Sequence, residues 1–186
     1  MRRFALAFLA SLTLAACGAG GRDGARSDPQ LNALFAQLEQ AESPDAAAPV
    51  ERAIWTYWAD SGSPTVNTLL ERASAAAAAQ DFDLANRFID EAVDLAPDYA
   101  EPWNRRAEIA YQGEDYAGAI AAIQETLRRE PRHFGALTAL GFIYEELGQE
   151  RAALDAFRSA LAIHPHYERA QQGVRRLEPR VDGRDA

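Results

Sequence analysis

The chain has 186 residues, enough for one ordinary domain and too few for two large ones. Charged residues make up 25% and hydrophobic residues 48%, which excludes a disordered polymer. No lysine appears, so arginine carries all the positive charge. The formal net charge of -9 argues against nucleic acid, whose phosphates demand clustered cations. A single cysteine cannot close an internal disulfide or build a Cys-rich zinc module. About a fifth of the chain is alanine, the best helix former, and 9 Pro with 12 Gly punctuate it into several short helices rather than one rod.

Met1-Arg2-Arg3 is basic, and residues 4–16 are apolar or small apart from Ser11 and Thr13. These are the n- and h-regions of a secretory signal, shorter than the ~20 residues a permanent span needs. The run ends in Leu14-Ala15-Ala16-Cys17-Gly18. This resembles the lipobox of bacterial lipoproteins. The resemblance implies a signal peptide over residues 1–16 and a lipid on Cys17, whose two or more acyl chains would hold a membrane stably at about 0.8 kcal/mol per buried methylene. It further implies a place in the bacterial cell envelope, lipid-anchored and facing the periplasm, with Gly18 rather than Asp favouring the outer membrane over the inner. Residues 17–27 read as the lipidated Cys and a flexible Gly-rich tether.

Asp28-Pro29 followed by Leu31, Leu34, Phe35 and Leu38 gives an N-cap, a first-turn proline and an apolar stripe at i, i+3, i+4, i+7. Ser43-Pro44-Asp45 opens a second helix carrying Ile54, Trp55 and Trp58, whose regular start Pro49 is expected to delay. Residues 28–65 therefore read as an N-terminal helical hairpin, a degenerate repeat or a cap.

From there the chain repeats. Pro64, Pro97, Pro131 and Pro165 recur at intervals of 33, 34 and 34 residues. At that period Ala73, Ala107 and Gly141 align, as do Ala85, Ala119 and Ala153 twelve residues later. Ile89, Ile123 and Phe157 form a third column, and Val93, Leu127 and Leu161 a fourth. Each unit then holds two helices that turn near Gln80-Asp81, Gly113-Glu114-Asp115 or Gly148-Gln149. Small residues let the two backbones cross closely, and larger ones fill the space beside the crossing. Such a pair cannot bury its apolar face alone and needs neighbours.

These columns resemble the tetratricopeptide repeat (TPR). Residues 134–167 carry Leu137, Leu140, Gly141, Tyr144, Ala153, Phe157, Ala160 and Pro165 on the family's signature positions. Residues 100–133 keep Trp103, Ala107, Ala119 and Pro131, and residues 66–99 keep Ala73, Ala85, Ala92 and Pro97. The resemblance implies an all-α fold, a right-handed TPR superhelix (an α-solenoid) of three repeats between the N-terminal hairpin and a C-terminal capping helix. That cap reads as residues 168–177, with Val174 and Leu177 inward and Arg169, Arg175 and Arg176 outward, and residues 178–186 as a flexible tail. Two departures stand out: Arg72 and Arg106 occupy a position where the family usually places Leu, and Ala76 and Ala110 one where it often has Tyr. Either the arginines are partly buried and meet carboxylates at a helix junction, or the first two units pack unusually. The segments IWTYW, WNRRA and PRHFGAL are similar to those of small TPR proteins of alphaproteobacterial envelopes.

Little here supports catalysis. His164 and His166 flank Pro165, and His133 stands at the preceding boundary, but no third metal ligand lies at useful spacing. All three read as solvated turn residues. Glu114-Asp115 and Glu145-Glu146 read as solvated helix ends, and no nucleophile elbow or phosphate-cradling loop is present. The sequence points to a protein that is not an enzyme and implies no cofactor and no metal.

The family resemblance directs attention to the inner groove, lined by the first helix of each pair. Asn104, Arg105, Glu108, Tyr111 and Gln112 of the second unit, with Thr138, Phe142 and Glu145 of the third, form the expected partner-binding set. Some TPR modules grip a C-terminal carboxylate with Lys, Asn and Arg. The corresponding positions here hold Leu70, Ser74, Arg105, Gly135 and Ala139, so that clamp is absent. The expected function is a non-enzymatic, lipid-anchored envelope adaptor for a protein or peptide partner. Assembly of outer-membrane or peptidoglycan machinery is one alternative, and an enzyme or metal-dependent factor using His133, His164 and His166 is a more distant one.

Overall fold

A computed structural model describes residues 28–183. The lipobox with Cys17 and the tether lie outside the described residues. The described residues form nine helices in order: α1 (Pro29–Glu39), α2 (Pro44–Ala59), α3 (Pro64–Ala78), α4 (Phe82–Leu95), α5 (Glu101–Gln112), α6 (Tyr116–Arg129), α7 (Phe134–Glu146), α8 (Glu150–Ile163) and α9 (Glu168–Asp182). No strand occurs among the described residues.

The boundary prolines set the period. Proline disfavours helical geometry in the residue before it, and Ala96, Glu130 and His164 all precede one. Their φ angles are -142°, -129° and -129°, and each is the residue at which α4, α6 or α8 stops. Three residues further, the amides of Tyr99, His133 and Tyr167 bond back to the carbonyls of those same residues and close three matching turns.

The turns inside each hairpin are equally regular. Gln80, Glu114 and Gly148 sit 34 residues apart, with φ of 62°, 59° and 70°. The amide of the next residue reaches the carbonyl of Ala76, Ala110 or Tyr144, the six-to-one bond of a Schellman helix end. Asp81 and Asp115 then cap the following helix through the amides of Leu84 and Gly118, at 3.0 and 2.9 Å.

Packing follows the columns. Ala73, Ala85, Ala119 and Ala153 are wholly buried, as are Ile89, Ile123 and Phe157. The third hairpin shows why its crossing residue is glycine. A Cβ on Gly141 would lie 2.5 Å from the Phe157 ring, and so would one on Gly173 of α9. Phe157 is larger than the isoleucines it replaces, and both neighbouring helices yield space to it.

Arg106 and Arg72 part company. Arg106 stacks over Trp103 at 4.9 Å and pairs with Asp90 of α4, in the joint between the first and second hairpins. Arg129 covers the same indole at 4.7 Å. Arg72 is exposed, its guanidinium 6.0 Å from the Phe88 ring centroid. The expectation of a partly buried, carboxylate-paired arginine thus holds at the second hairpin and fails at the first. The position faces the preceding second helix, and α3 opens the stack.

Three expectations about the flanks need correction. Helix α2 begins at Pro44, not after Pro49: Ser43 accepts the Ala46 amide at 3.2 Å, and the helix runs through Pro49 on its exposed side. Helix α9 runs to Asp182, so residues 178–182 are helical rather than a tail. Val181 is buried one turn beyond Leu177, and Glu178 and Arg180 pair with Arg158 and Glu150 of α8. Arg176 lies outside as expected, and from there it meets Glu145 of α7 at 2.6 Å.

The third correction concerns the N-terminal hairpin, expected to continue or cap the stack ahead of α3. Its buried residues Leu31, Phe35, Leu38, Ile54 and Trp58 instead share one core with Phe134, Leu154, Phe157, Ala170 and Leu177. The two ends of the described chain meet in a single apolar cluster.

The left-handed residues supply a test. Gln80→Gly and Glu114→Gly should each raise stability by about 1 kcal/mol by relieving the Cβ penalty at positive φ, and Gly148→Ala should lower it by about as much. Urea midpoints of the three variants measure this.

Candidate functional site

The first helices of the second and third hairpins, α5 and α7, carry the expected partner-binding residues, and the structure divides that set in two. Arg105, Glu108, Tyr111 and Gln112 lie on an open stretch of α5. Arg105 is held between Glu101 at 3.2 Å and Glu108 at 2.9 Å. Burial works against its charge, but these two carboxylates outweigh it and hold its pKa above the usual value. Tyr111 is 39% exposed, its ring 5.9 Å from that of Tyr116. Gln112 is exposed at the helix end.

The other four residues are engaged within the chain. Asn104 is buried, with its amide nitrogen 3.4 Å from Glu101 and 3.5 Å from Glu108. Thr138 is 1% exposed and donates to the carbonyl of Phe134 at 2.8 Å. Phe142 packs edge-on against Phe157 at 5.1 Å under the guanidinium of Arg169. Glu145 is held by Arg176 through two bonds of 2.6 Å. Asn104 and Thr138 therefore cannot read a partner in this conformation, which corrects the expectation for both.

The seating of the N-terminal hairpin is the feature the sequence reading missed. Tyr99, His133 and Tyr167 occupy the same column, one at each boundary turn, and all three lie on the hairpin's side. The Tyr99 hydroxyl donates to the Trp58 carbonyl. His133 stacks flat on the Trp58 indole, centroids 4.1 Å apart and planes within 6°. Tyr167 joins Phe134 and His164 in the core beneath, where burial pushes its phenol pKa up. Trp55 stands edge-on to Phe134 at 5.3 Å, and a Cβ on Gly135 would collide with its indole. The rim adds polar contacts: Arg132 donates to Asn32 at 2.8 Å and covers the Phe35 ring at 4.2 Å. His166 Nε2 lies 2.9 Å from the Ala41 carbonyl.

Two of the histidines, His133 and His164, are thus not solvated turn residues, while His166 stays half-buried in its turn. His133 is 0% exposed and caps α7 by accepting the Ala136 amide at Nδ1, 3.0 Å away. Its proton then sits on Nε2, facing Glu101 at 3.5 Å. His164 is 1% exposed, with Nε2 3.1 Å from Glu51 of α2. Among the described residues no three His, Cys, Asp or Glu side chains come together in a way that could hold a metal ion. No helix among them is long and apolar enough to cross a membrane.

Comparison with known proteins agrees with this architecture. The family model described as tetratricopeptide repeat matches residues 70–125 and 110–168. A TPR repeat-containing protein of Rhizobium etli is 38% identical over 161 residues, spanning 86% of this chain and 79% of that protein. Among solved structures, the Arabidopsis OM64 TPR domain superposes with a TM-score of 0.58 at 22% identity, covering 62% of this chain and 96% of that one. The first TPR of Spaghetti, solved with the HSP90 peptide SRMEEVD, gives 0.58 at 15% identity, covering 63% and 94%.

Two outcomes follow. Gly135→Ala should weaken hairpin seating by about 1–3 kcal/mol through overpacking against Trp55, seen as a red shift of tryptophan emission below the main melting transition. Burial lowers the His164 pKa below its usual value, with the nearby His166 acting in the same direction and Glu51 opposing. A group depressed in the folded state takes up its proton more readily when unfolded. Its contribution is therefore complete above pH about 6.5 and is lost as pH falls through the folded value. The emission shift should appear on acidification from pH 7.5 and vanish in His164→Gln.

Proposed function

The chain belongs to the tetratricopeptide-repeat family, and we propose that it is a lipid-anchored adaptor of the bacterial cell envelope that holds a protein or peptide partner on the open stretch of α5. The family's fold serves protein–protein interaction, and its members are generally scaffolds rather than enzymes. The observation that carries the reading is the arrangement on α5. Arg105 is fixed between two carboxylates, with Glu108, the exposed Tyr111 ring and the Gln112 amide beside it. Fixed guanidinium and aromatic groups lose little freedom on binding, which is why such residues dominate interface energetics.

Charge narrows the partner. With a formal charge of -9, the chain favours a neutral or basic surface and an association that salt weakens. An acidic peptide that presents a C-terminal carboxylate is disfavoured. The positions that would clamp its carboxylate hold Leu70, Ser74, Gly135 and Ala139 beside the single cation Arg105. Anchoring rests on the sequence from Leu14 to Gly18, and a lipid on Cys17 would concentrate the adaptor at a membrane surface, raising the effective concentration of any partner there.

Cells fed labelled palmitate should label the chain and lose that label, with membrane fractionation, in Cys17→Ser. Crosslinking in cells followed by mass spectrometry should recover a partner whose yield falls roughly tenfold in Arg105→Ala/Tyr111→Ala, for a loss of about 1.4 kcal/mol. Recovery of nothing across several salt concentrations overturns the adaptor reading.

A further inference from the structure

The N-terminal hairpin lies against α7 and the boundary turns, and among the described residues it is joined to them differently from the way the repeats join one another. The repeats cross through small residues. Helix α2 meets its neighbours through long side chains, Glu51 to His164, Trp55 to Phe134 and Trp58 to His133, and through the Trp58 carbonyl, which accepts from the Tyr99 hydroxyl. These three residues of α2 sit at i, i+4 and i+7, so a single helical face makes the contact.

Polar groups at this contact are incompletely satisfied. Trp58 Nε1 and His164 Nδ1 are buried without a hydrogen-bond partner among the described residues, and His133 Nε2 reaches Glu101 Oε2 only at 3.5 Å. Burying incompletely paired polar groups costs free energy that the aromatic contacts must offset. The connection to α3 is short and polar, running through Asp60, Ser61, Gly62 and Ser63. Gly62 has φ of 75° and open space around the place of a Cβ. Ser61 and Asn67 bond to one another across it at 2.6 Å.

From this we infer that the hairpin is a built-in occupant of the groove, displaced by a partner helix that carries the same face: a carboxylate, an aromatic four residues on and a second aromatic three further. The inference rests on the adaptor reading and specifies its partner. The self-contact shows which chemistry fits. His164 takes the carboxylate, the glycine at 135 leaves room for the first ring, and the flat face of His133 takes the second. Displacement would also uncover the columns of Tyr99, His133 and Tyr167, joining them to the open stretch around Arg105 and Tyr111.

Two measurements on the purified full chain test this. In hydrogen exchange of the unaltered protein, amides of α1 and α2 should exchange at least tenfold faster than those of α7 and α8. Exchange of both only through global unfolding would make the hairpin an inseparable part of the core and overturn the inference. A fluorescent peptide of residues 44–59 should bind Trp58→Ala at least tenfold more tightly than the unaltered chain, and the same peptide with both tryptophans replaced by alanine should bind neither. A Trp58→Ala chain that keeps its helical circular dichroism and ignores the peptide also overturns it. Neither measurement involves cells or a native partner, so a failure here is distinguishable from a failure of the adaptor reading in the crosslinking experiment.

Discussion

The structure depends on one restriction of backbone geometry. A residue that precedes proline is pushed out of the helical region, and this happens at Ala96, Glu130 and His164, 34 residues apart. Each helix therefore stops in phase with the last, and each following helix starts from a turn of the same shape. Because the turns match, the alanines at 85, 119 and 153 meet equivalent crossings, and every unit can cover its neighbour's apolar side. The same phase places Tyr99, His133 and Tyr167 in one row, which the N-terminal hairpin uses as its seat.

That second use of the row shapes the groove. A repeat array presents its inner face to whatever fits, and here part of that face is already in contact with the chain's own aromatic helix. The residues divide accordingly. Asn104 and Thr138 turn inward, whereas Arg105, Glu108, Tyr111 and Gln112 keep their access to water. At the far end α9 holds Glu145 with Arg176 and covers Phe142 with Arg169. Of the expected partner-binding residues, the open ones thus all lie on the middle repeat.

What the sequence disclosed was the periodic part. Prolines, crossing alanines and turn positions report local geometry, and local geometry repeats wherever its residues do. Even the exchange of isoleucine for Phe157 with alanine for Gly141 was visible as paired entries in two columns, although its reason needed the 2.5 Å approach. The hairpin was misplaced because adjacency in the chain was taken for adjacency in space. A signal against this existed: shifted back one period, Ala73 and Ala85 land on Glu39 and Glu51, which cannot form the close crossing of a repeat. The histidines misled for a related reason. A His beside proline at a turn is ordinarily wet, and only a long-range partner such as Trp58 buries it. The split between open and engaged groove residues was likewise beyond the columns, since it depends on side-chain partners that the period does not specify, such as Glu101 for Asn104 and Arg176 for Glu145.

The meeting of α1 and α2 with α8 and α9 in one core has a consequence for how the molecule could change in evolution. Most solenoids lengthen by duplicating a unit anywhere along their axis, because each unit answers only to its neighbours. Here an inserted copy would carry the last boundary turn out of the hairpin's reach, separating Trp58 from His133 or Glu51 from His164. The hairpin acts as a ruler laid across the turns, and it holds the number of repeats constant.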